Sequence, residues 1–284
     1  VETRELRYFI AVAEESHVGR AADRLGMAQP PLSRAIAQLE RRIGADLFVR
    51  SPRGMSLTSA GQTLLREGRA ALAAVEAAER RTRRIIEAGS RAPVVLTAKS
   101  GTASELLATL LDAYASEPDA VDVEVVLSAP GHQAPMLRDG RADVAILHLP
   151  FDDISGFDVD VLSVEDQVLI VPAGHPVSRM PSLTVAEASS IPDLPAPRWP
   201  HLDGSYPDAP GPEMRDLTQV LQLVRLGRAS IMLPESARIH VGEGLSVVPV
   251  SDAPQVTTVI AWPPQSKSLA VAGLVRAASE LLDA

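Results

Sequence analysis

The residues best placed to do chemistry lie near the front of the chain. Within residues 18–40, VGRAADRLGMAQPPLSRAIAQLE, one short apolar-periodic segment stops at Gly26 and a second opens at Gln29-Pro30-Pro31. Two short helices broken by a glycine turn make the helix-turn-helix pattern, whose second helix enters a DNA major groove. The side chains that open the second segment suit base edges. Gln bonds adenine bidentately, Arg bonds guanine, Ser reaches base or phosphate, and proline rings touch thymine methyls. Gln29, Pro30, Pro31, Ser33 and Arg34 are therefore the candidate base-reading set. Arg50, Arg53 and Thr58 stand where a following hairpin and the next helix start would meet phosphates. Such contacts position a protein on DNA without reading sequence.

A second set suits a small ligand. Lys99-Ser100-Gly101-Thr102 follows an apolar stretch and opens a helix, so its backbone N–H groups suit an anion and Lys99 adds charge. Thr102 is also placed to cap that helix. Ser128 ends the next apolar stretch and His148 follows the third. Both lie near the C-terminal edge of the implied sheet, where ligands bind in open α/β folds.

The elements that must hold these residues can be read from periodicity. Leu6, Phe9, Ile10, Val12 and Ala13 mark an amphipathic first helix over 2–15, and Leu32, Ile36, Leu39 and Ile43 mark the buried stripe of the helix that carries Arg34. Residues 47–50 and 55–57 read as paired strands around a basic turn at 51–54, which makes the module a winged helix-turn-helix. A proline-free helix of unusual length follows over about 61–87, capped by Thr58 or by Ser59, where Ser59-x-x-Gln62 fits a capping box. Its apolar stripe suits a dimerisation arm. After the breaker Gly89-Ser90-Arg91-Ala92-Pro93, strands alternate with helices to the C-terminus, which argues for parallel sheets. A Pro-, Gly- and Asp-rich loop spans 190–214.

Composition limits the function further. Residues 1–90 carry 15 Arg against 11 acidic side chains, and residues 91–284 carry 12 basic against 25 acidic ones. A basic front on an acidic body puts a polyanion at the front alone. There is no cysteine, which excludes thiol catalysis, thiolate metal sites and disulfides. No HExxH, G-x-S-x-G elbow, P-loop or G-x-G-x-x-G after a strand occurs. The chain is expected to be no enzyme and to hold no cofactor or metal. No apolar run approaches a membrane span, and the N-terminal residues lack a secretory apolar core, so a cytoplasmic protein with no membrane partner is expected.

The chain resembles the LysR-type transcriptional regulators. The resemblance rests on Leu6-Arg7-Tyr8-Phe9, Ala21-Ala22-Asp23-Arg24-Leu25, Gln29-Pro30-Pro31-Leu32-Ser33, Leu39-Glu40, Gly44-x-x-Leu47-Phe48-x-Arg50 and Leu57-Thr58-x-x-Gly61. Weaker matches follow at Gly140-Arg141-Ala142-Asp143, Val171-Pro172-Ala173-Gly174-His175-Pro176 and Leu233-Pro234-Glu235-Ser236. It implies an α/β chain in three parts: a winged helix-turn-helix over 1–60, a linker helix over 61–88 and an effector-binding domain over 92–284. The last resembles a periplasmic binding protein, with lobe one at 92–161 plus 255–284 and lobe two at 162–254. The chain would cross near 161–165 and return near 251–255. Gln29, Pro30, Ser33 and Arg34 match the start of the family's recognition helix. Arg198, Trp199 and His201 precede the region that closes on the effector from lobe two.

The implied function is sequence-specific binding of promoter DNA, modulated by a small effector in the interlobe cleft. Lys99, Ser100 and Arg198 would suit an anionic effector. A dimer through the long helix, pairing of dimers into a tetramer and an effect on RNA polymerase access are implied with it. Three rivals stand beside this reading: a regulator whose cleft is vestigial, a solute-binding protein that only captures ligand, and an α/β enzyme fused to a DNA-binding module.

Overall fold

The computed structural model describes residues 1–51, 54–89, 92–101, 104–201 and 204–281. Contacts divide the chain into two units, Val1–Thr82 with Arg138–Gly140 and Arg83–Leu137 with Arg141–Ala284. Among the described residues no helix is long and apolar enough to cross a membrane.

The first unit runs α1 (Thr3–Glu15), α2 (Val18–Arg24), α3 (Gln29–Ile43), β1 (Phe48–Ser51), β2 (Gly54–Leu57) and then α4 (Ser59–Ala88), which crosses the unit boundary. The apolar stripes seen in the sequence meet in one core: Phe9 and Val12 of α1, Ala21 of α2, and Leu32, Ile36 and Leu39 of α3, closed by Leu47 and Phe48. The Phe9 and Phe48 rings, 5.2 Å apart, fix the hairpin to α1. His17 caps α2, its Nδ1 accepting from the Gly19 and Arg20 N–H groups at 3.0 and 3.3 Å. Pro30 and Pro31 sit in the first turn of α3, where a missing N–H leaves no helical bond unmade.

Two motif residues of this unit are structural. Glu40 Oε1 accepts from the N–H groups of Leu47 and Phe48 at 2.9 and 3.3 Å, tying α3 to β1. Gly61 lies so close to β1 that a Cβ there would stand 2.1 Å from the Leu47 carbonyl oxygen. Of the two expected caps of α4, the structure uses Thr58 and not the Ser59-Gln62 box. Thr58 Oγ1 accepts from the Gly61 N–H at 3.0 Å and donates to the Asp46 carbonyl at 2.8 Å. That second bond anchors Thr58 to the hairpin and decides the helix start in its favour.

The second unit holds β3 (Val94–Lys99), α5 (Ser104–Ala115), β4 (Val123–Ser128), α6 (Gln133–Arg138), β5 (Val144–Leu149), β6 (Asp158–Glu165), β7 (Gln167–Pro172), α7 (Val185–Ser189), α8 (Leu217–Arg225), β8 (Ile231–Pro234), β9 (Leu245–Pro249), β10 (Val256–Trp262) and α9 (Leu269–Glu280). A short 3-10 segment, Glu235–His240, follows β8. The strands form two sheets, β4-β3-β5-β10-β6 in lobe one and β8-β7-β9 in lobe two. Lobe one packs Leu96, Ile146 and Ile260 under α5 and α9, and lobe two packs Ile170 and Ile231 under α8.

The expectation of parallel sheets holds only for β3 with β4 and β5; β10 is antiparallel to β5 and β6, and every pair in lobe two is antiparallel. The double crossing is the cause. Strands β6 and β7 carry the chain out through Asp166, and β9 and β10 bring it back, so the returning strands oppose the outgoing ones. The hinge is tied by Gln167 Nε2 donating to the Pro254 carbonyl at 2.8 Å and by Gln255 Nε2 donating to Asp166 Oδ1 at 3.0 Å. Strand β6 also corrects the lobe boundary. It continues to Glu165 in the lobe-one sheet, so 162–165 do not belong to lobe two. The segment DVDVLSVE lies at a sheet edge with most side chains half-exposed or exposed, and so lacks the apolar run of an inner strand.

Candidate functional site

Helix α3 presents a polar face at its N-terminal half. Gln29, Pro30 and Arg34 are exposed, and Pro31 and Ser33 are half-buried. The opposite face carries Leu32, Ile36 and Leu39, each at 3% exposure or less, which fixes the helix rotation. Several other arginines are held within the unit, though Arg4, Arg7 and Arg41 have no partner among the described residues. Arg24 pairs with Glu14 at 2.8 Å, Arg42 with Glu5 at 2.7 Å, Arg69 with Glu14 at 2.7 Å, and Arg20 with Glu15. The side chains of Gln29 and Arg34 have no hydrogen bond or ion pair with any described residue. Strand β1 holds Arg50 opposite Met55, and Arg53 lies outside the described residues.

In the second unit the expected cations are bound by the protein itself. Lys99 is 9% exposed and its Nζ donates to Asp152 Oδ2 at 2.6 Å. The same oxygen accepts from the His148 backbone N–H at 2.7 Å. Arg198 closes the 190–214 loop on itself, donating to the Gly211 and Pro207 carbonyls at 2.8 and 2.9 Å and to Glu213 Oε1 at 3.1 Å. The two charges behind the expectation of an anion are thereby neutralised. Ser128 Oγ accepts from Gln133 Nε2 at 2.8 Å, and its carbonyl accepts from the Ser100 N–H at 3.1 Å. Trp199 packs on the lobe-two core, His201 is exposed, and Thr102 lies outside the described residues. The structure thus gathers Lys99 with His148, and Ser100 with Ser128, while Arg198, Trp199 and His201 belong to the loop of the other lobe.

His148 is 5% exposed. Burial first, and then the Lys99 charge, push its imidazole down to about 4, against the pull of Asp152 and Glu165. The ring is therefore neutral near pH 7. Its Nδ1 is sealed from solvent, has no hydrogen-bond partner, and stands 3.9 Å from Asp152 Oδ2.

A cavity of about 300 Å³ opens on the seam between the two lobes. Lobe one lines it with Gly101, with Glu105, Leu106 and Thr109 of α5, with His148, with Ser163 and Glu165 of β6, and with Thr258 and Leu281. Lobe two adds Pro234 and the segment that follows it, Ser236, Ala237, Ile239 and His240. Glu165 joins the lobes: its Oε2 accepts from the Ser236 N–H at 2.7 Å and its Oε1 from Ser163 Oγ at 3.2 Å. Gly101 is needed beside the cavity, since its φ is +82° and a Cβ would stand 2.9 Å from Leu217. Of the described residues expected at the ligand, His148 alone lines this cavity. Glu165 and Ser163 escaped sequence reading because β6 did, whereas Leu233-Pro234-Glu235-Ser236 was visible as a motif without a role. Among the described residues no group of three or more His, Asp or Glu could hold a metal ion.

The arrangement has known counterparts. The model of the bacterial regulatory helix-turn-helix proteins of the lysR family matches residues 3–62, and that of the LysR substrate binding domain matches residues 87–283. The transcriptional regulator AlsR of Bacillus subtilis is 31% identical over 254 residues, covering 84% of this chain and 82% of AlsR. A cysteine-to-serine mutant of Corynebacterium glutamicum OxyR, bound to hydrogen peroxide, superposes with a TM-score of 0.53 at 26% identity, covering 99% of this chain and 94% of that one. A point mutant of full-length BenM superposes with a TM-score of 0.54 at 25% identity, covering 100% and 96%.

Proposed function

Because the chain belongs to the LysR family, and so is a DNA-binding transcriptional regulator with an effector-binding domain, we propose that the open face of α3 reads its promoter and that a small molecule on the interlobe seam sets promoter occupancy. The observation that carries the first part is that Gln29 and Arg34 stand on an exposed face of α3, opposite its buried stripe, with no hydrogen bond or ion pair to any described residue. Gln29 and Arg34 read base edges, Pro30 and Pro31 touch thymine methyls, and Ser33 reaches base or phosphate. Arg50, Arg53 and Thr58 hold the backbone.

Helix α4 leaves Val75, Ile85 and Ile86 exposed at 40%, 61% and 76%. An apolar stripe on a helix of 30 residues is a surface for a second copy. The resulting dimer presents two α3 helices to a near-palindromic site, and pairing of dimers gives a tetramer. Access of RNA polymerase is what the effector changes. The protein works by binding rather than by turnover, beside the chromosome in the cytoplasm. It has no cysteine, so its signal is not read by thiol oxidation. The cavity of about 300 Å³ reaches the size of ligand pockets, which favours a working cleft over a vestigial one.

The test starts from genomic fragments retained by the full-length protein. A footprint on such a fragment should show two half-sites about one helical turn apart. Arg34→Ala should weaken binding by about 5- to 150-fold, the cost of one lost bidentate base contact. An unchanged footprint and affinity in Arg34→Ala would remove α3 from the reading role.

A further inference from the structure

We propose that the seam cavity takes a small organic cation, an ammonium head on a compact apolar body, with Glu165 as its carboxylate partner. This rests on the effector reading above and names the chemical class of that effector.

The polar groups around the cavity decide the class. None of the described residues lining it is Lys or Arg, and two of them, Glu105 and Glu165, are carboxylates. Each oxygen of Glu165 accepts one bond from a neutral donor, Ser236 N–H or Ser163 Oγ. An ionised carboxylate has about four acceptor sites, so half of its capacity stays open, and no described cation is paired with it.

His148 points the same way independently. It is 5% exposed, it is one of the residues that line the cavity, and its Nδ1 lacks a partner. A lone pair on Nδ1 would face the Asp152 carboxylate at 3.9 Å and be repelled, so the neutral ring carries its proton there. The other ring nitrogen, Nε2, is then a bare acceptor.

The described wall offers the hydroxyls of Ser236 and Thr258 but no Lys or Arg, so a ligand facing two carboxylates and an imidazole acceptor is held best when it brings the positive charge itself. An anion would meet like charge and lose its hydration with no Lys or Arg of the described wall to replace it. Leu106, Pro234, Ala237, Ile239 and Leu281 give the wall an apolar share beside the polar Thr109, Ser236, His240 and Thr258, and the volume of about 300 Å³ admits a body of roughly one saturated ring. Glu165 belongs to lobe one and already bonds the lobe-two Ser236. An ammonium bound to Glu165 therefore attaches to the group that joins the lobes, which couples occupancy to lobe closure.

Three matched probes test the proposal on the full-length protein by calorimetric titration at pH 8, above the ordinary imidazole range: cyclohexylammonium, cyclohexanol and cyclohexanecarboxylate. Cyclohexylammonium should bind about tenfold or more tightly than the alcohol, and the carboxylate should not bind. Glu165→Gln should abolish the ammonium preference. Glu105→Gln, at an exposed position of α5, should reduce it by a smaller factor and stands in if the first variant does not fold. Equal or tighter binding of the carboxylate, or unchanged ammonium affinity in both variants, would overturn the cation class. Absence of binding by all three probes at millimolar concentration would overturn it too. Native mass spectrometry with a mixed metabolite panel then separates the two levels: a captured anion or neutral compound leaves the effector reading standing, and no capture at all sinks both.

Discussion

Arg34 and Lys99 are both cations that the sequence marks for an outside anion, and the fold treats them in opposite ways. Arg34 stands on the open face of α3 with no partner among the described residues. Lys99 ends an inner strand at 9% exposure and is held by Asp152 at 2.6 Å. The difference follows from solvation. A guanidinium in water loses little by waiting for a phosphate or a base, whereas an ammonium that leaves water on folding needs a carboxylate at once. Residue type alone therefore suits Arg34, which the fold leaves open to an outside partner, and misleads about Lys99, which the fold has already paired.

The sharpest test of that contrast is Lys99→Met. It leaves the Asp152 carboxylate, whose side chain is 4% exposed, with a backbone N–H but without its cation. Removing one partner of a buried pair costs about 3–5 kcal/mol. Urea unfolding of the full-length chain should show a loss of that order in the second unit. The double variant Lys99→Met with Asp152→Leu should recover most of it, because it removes both charges together. A loss under about 1 kcal/mol in the single variant would mean that Lys99 is solvated after all and remains available to an anion.

A second test uses pH. The imidazole of His148 is held at about 4 in the fold, against an ordinary 6.5. Between those values the unfolded chain carries a proton that the folded chain lacks, so acidification favours unfolding. The His148 share is complete above 6.5, falls as pH drops, and is lost by about pH 4, a span of ~3 kcal/mol. His148→Asn should flatten the acid limb of stability between those two values. Lys99→Met should shrink that limb and raise its lower end above pH 4, since the Lys99 charge is one of the two causes that depress the imidazole. An acid limb identical in wild type and His148→Asn would place the imidazole in solvent.

The same contrast explains what was legible beforehand. The first unit could be read almost residue by residue, because its stripes at Leu32, Ile36 and Leu39 are local and its glycines and caps lie in sequence next to the elements they shape. Even Gly61, a motif residue without an evident reason, has one once Leu47 is seen beside it. The cavity could not be read. Its parts come from α5, β6, β10 and the segment after β8, and the decisive pairs, Lys99 with Asp152 and Glu165 with Ser236, lie 53 and 71 residues apart. Nothing in the local pattern of DVDVLSVE told an edge strand from a linker, and with β6 went both of its cavity residues.

The smallest effect closes the comparison. Arg34→Ala removes an exposed side chain that touches no partner, in a helix where alanine is at least as favourable as arginine. Its unfolding midpoint should stay within about 0.5 kcal/mol of wild type. The value of the measurement lies in pairing it with the DNA affinity of the same variant. A variant as stable as wild type that has lost promoter binding shows a residue kept for an outside partner, the reverse of Lys99→Met, where stability should collapse first. Should Arg34→Ala unfold more easily by 1 kcal/mol or more, roughly the worth of a hydrogen bond, then Arg34 holds α3 in place. Its effect on DNA would then be indirect, and the line drawn between the two cations would fail at its simpler end.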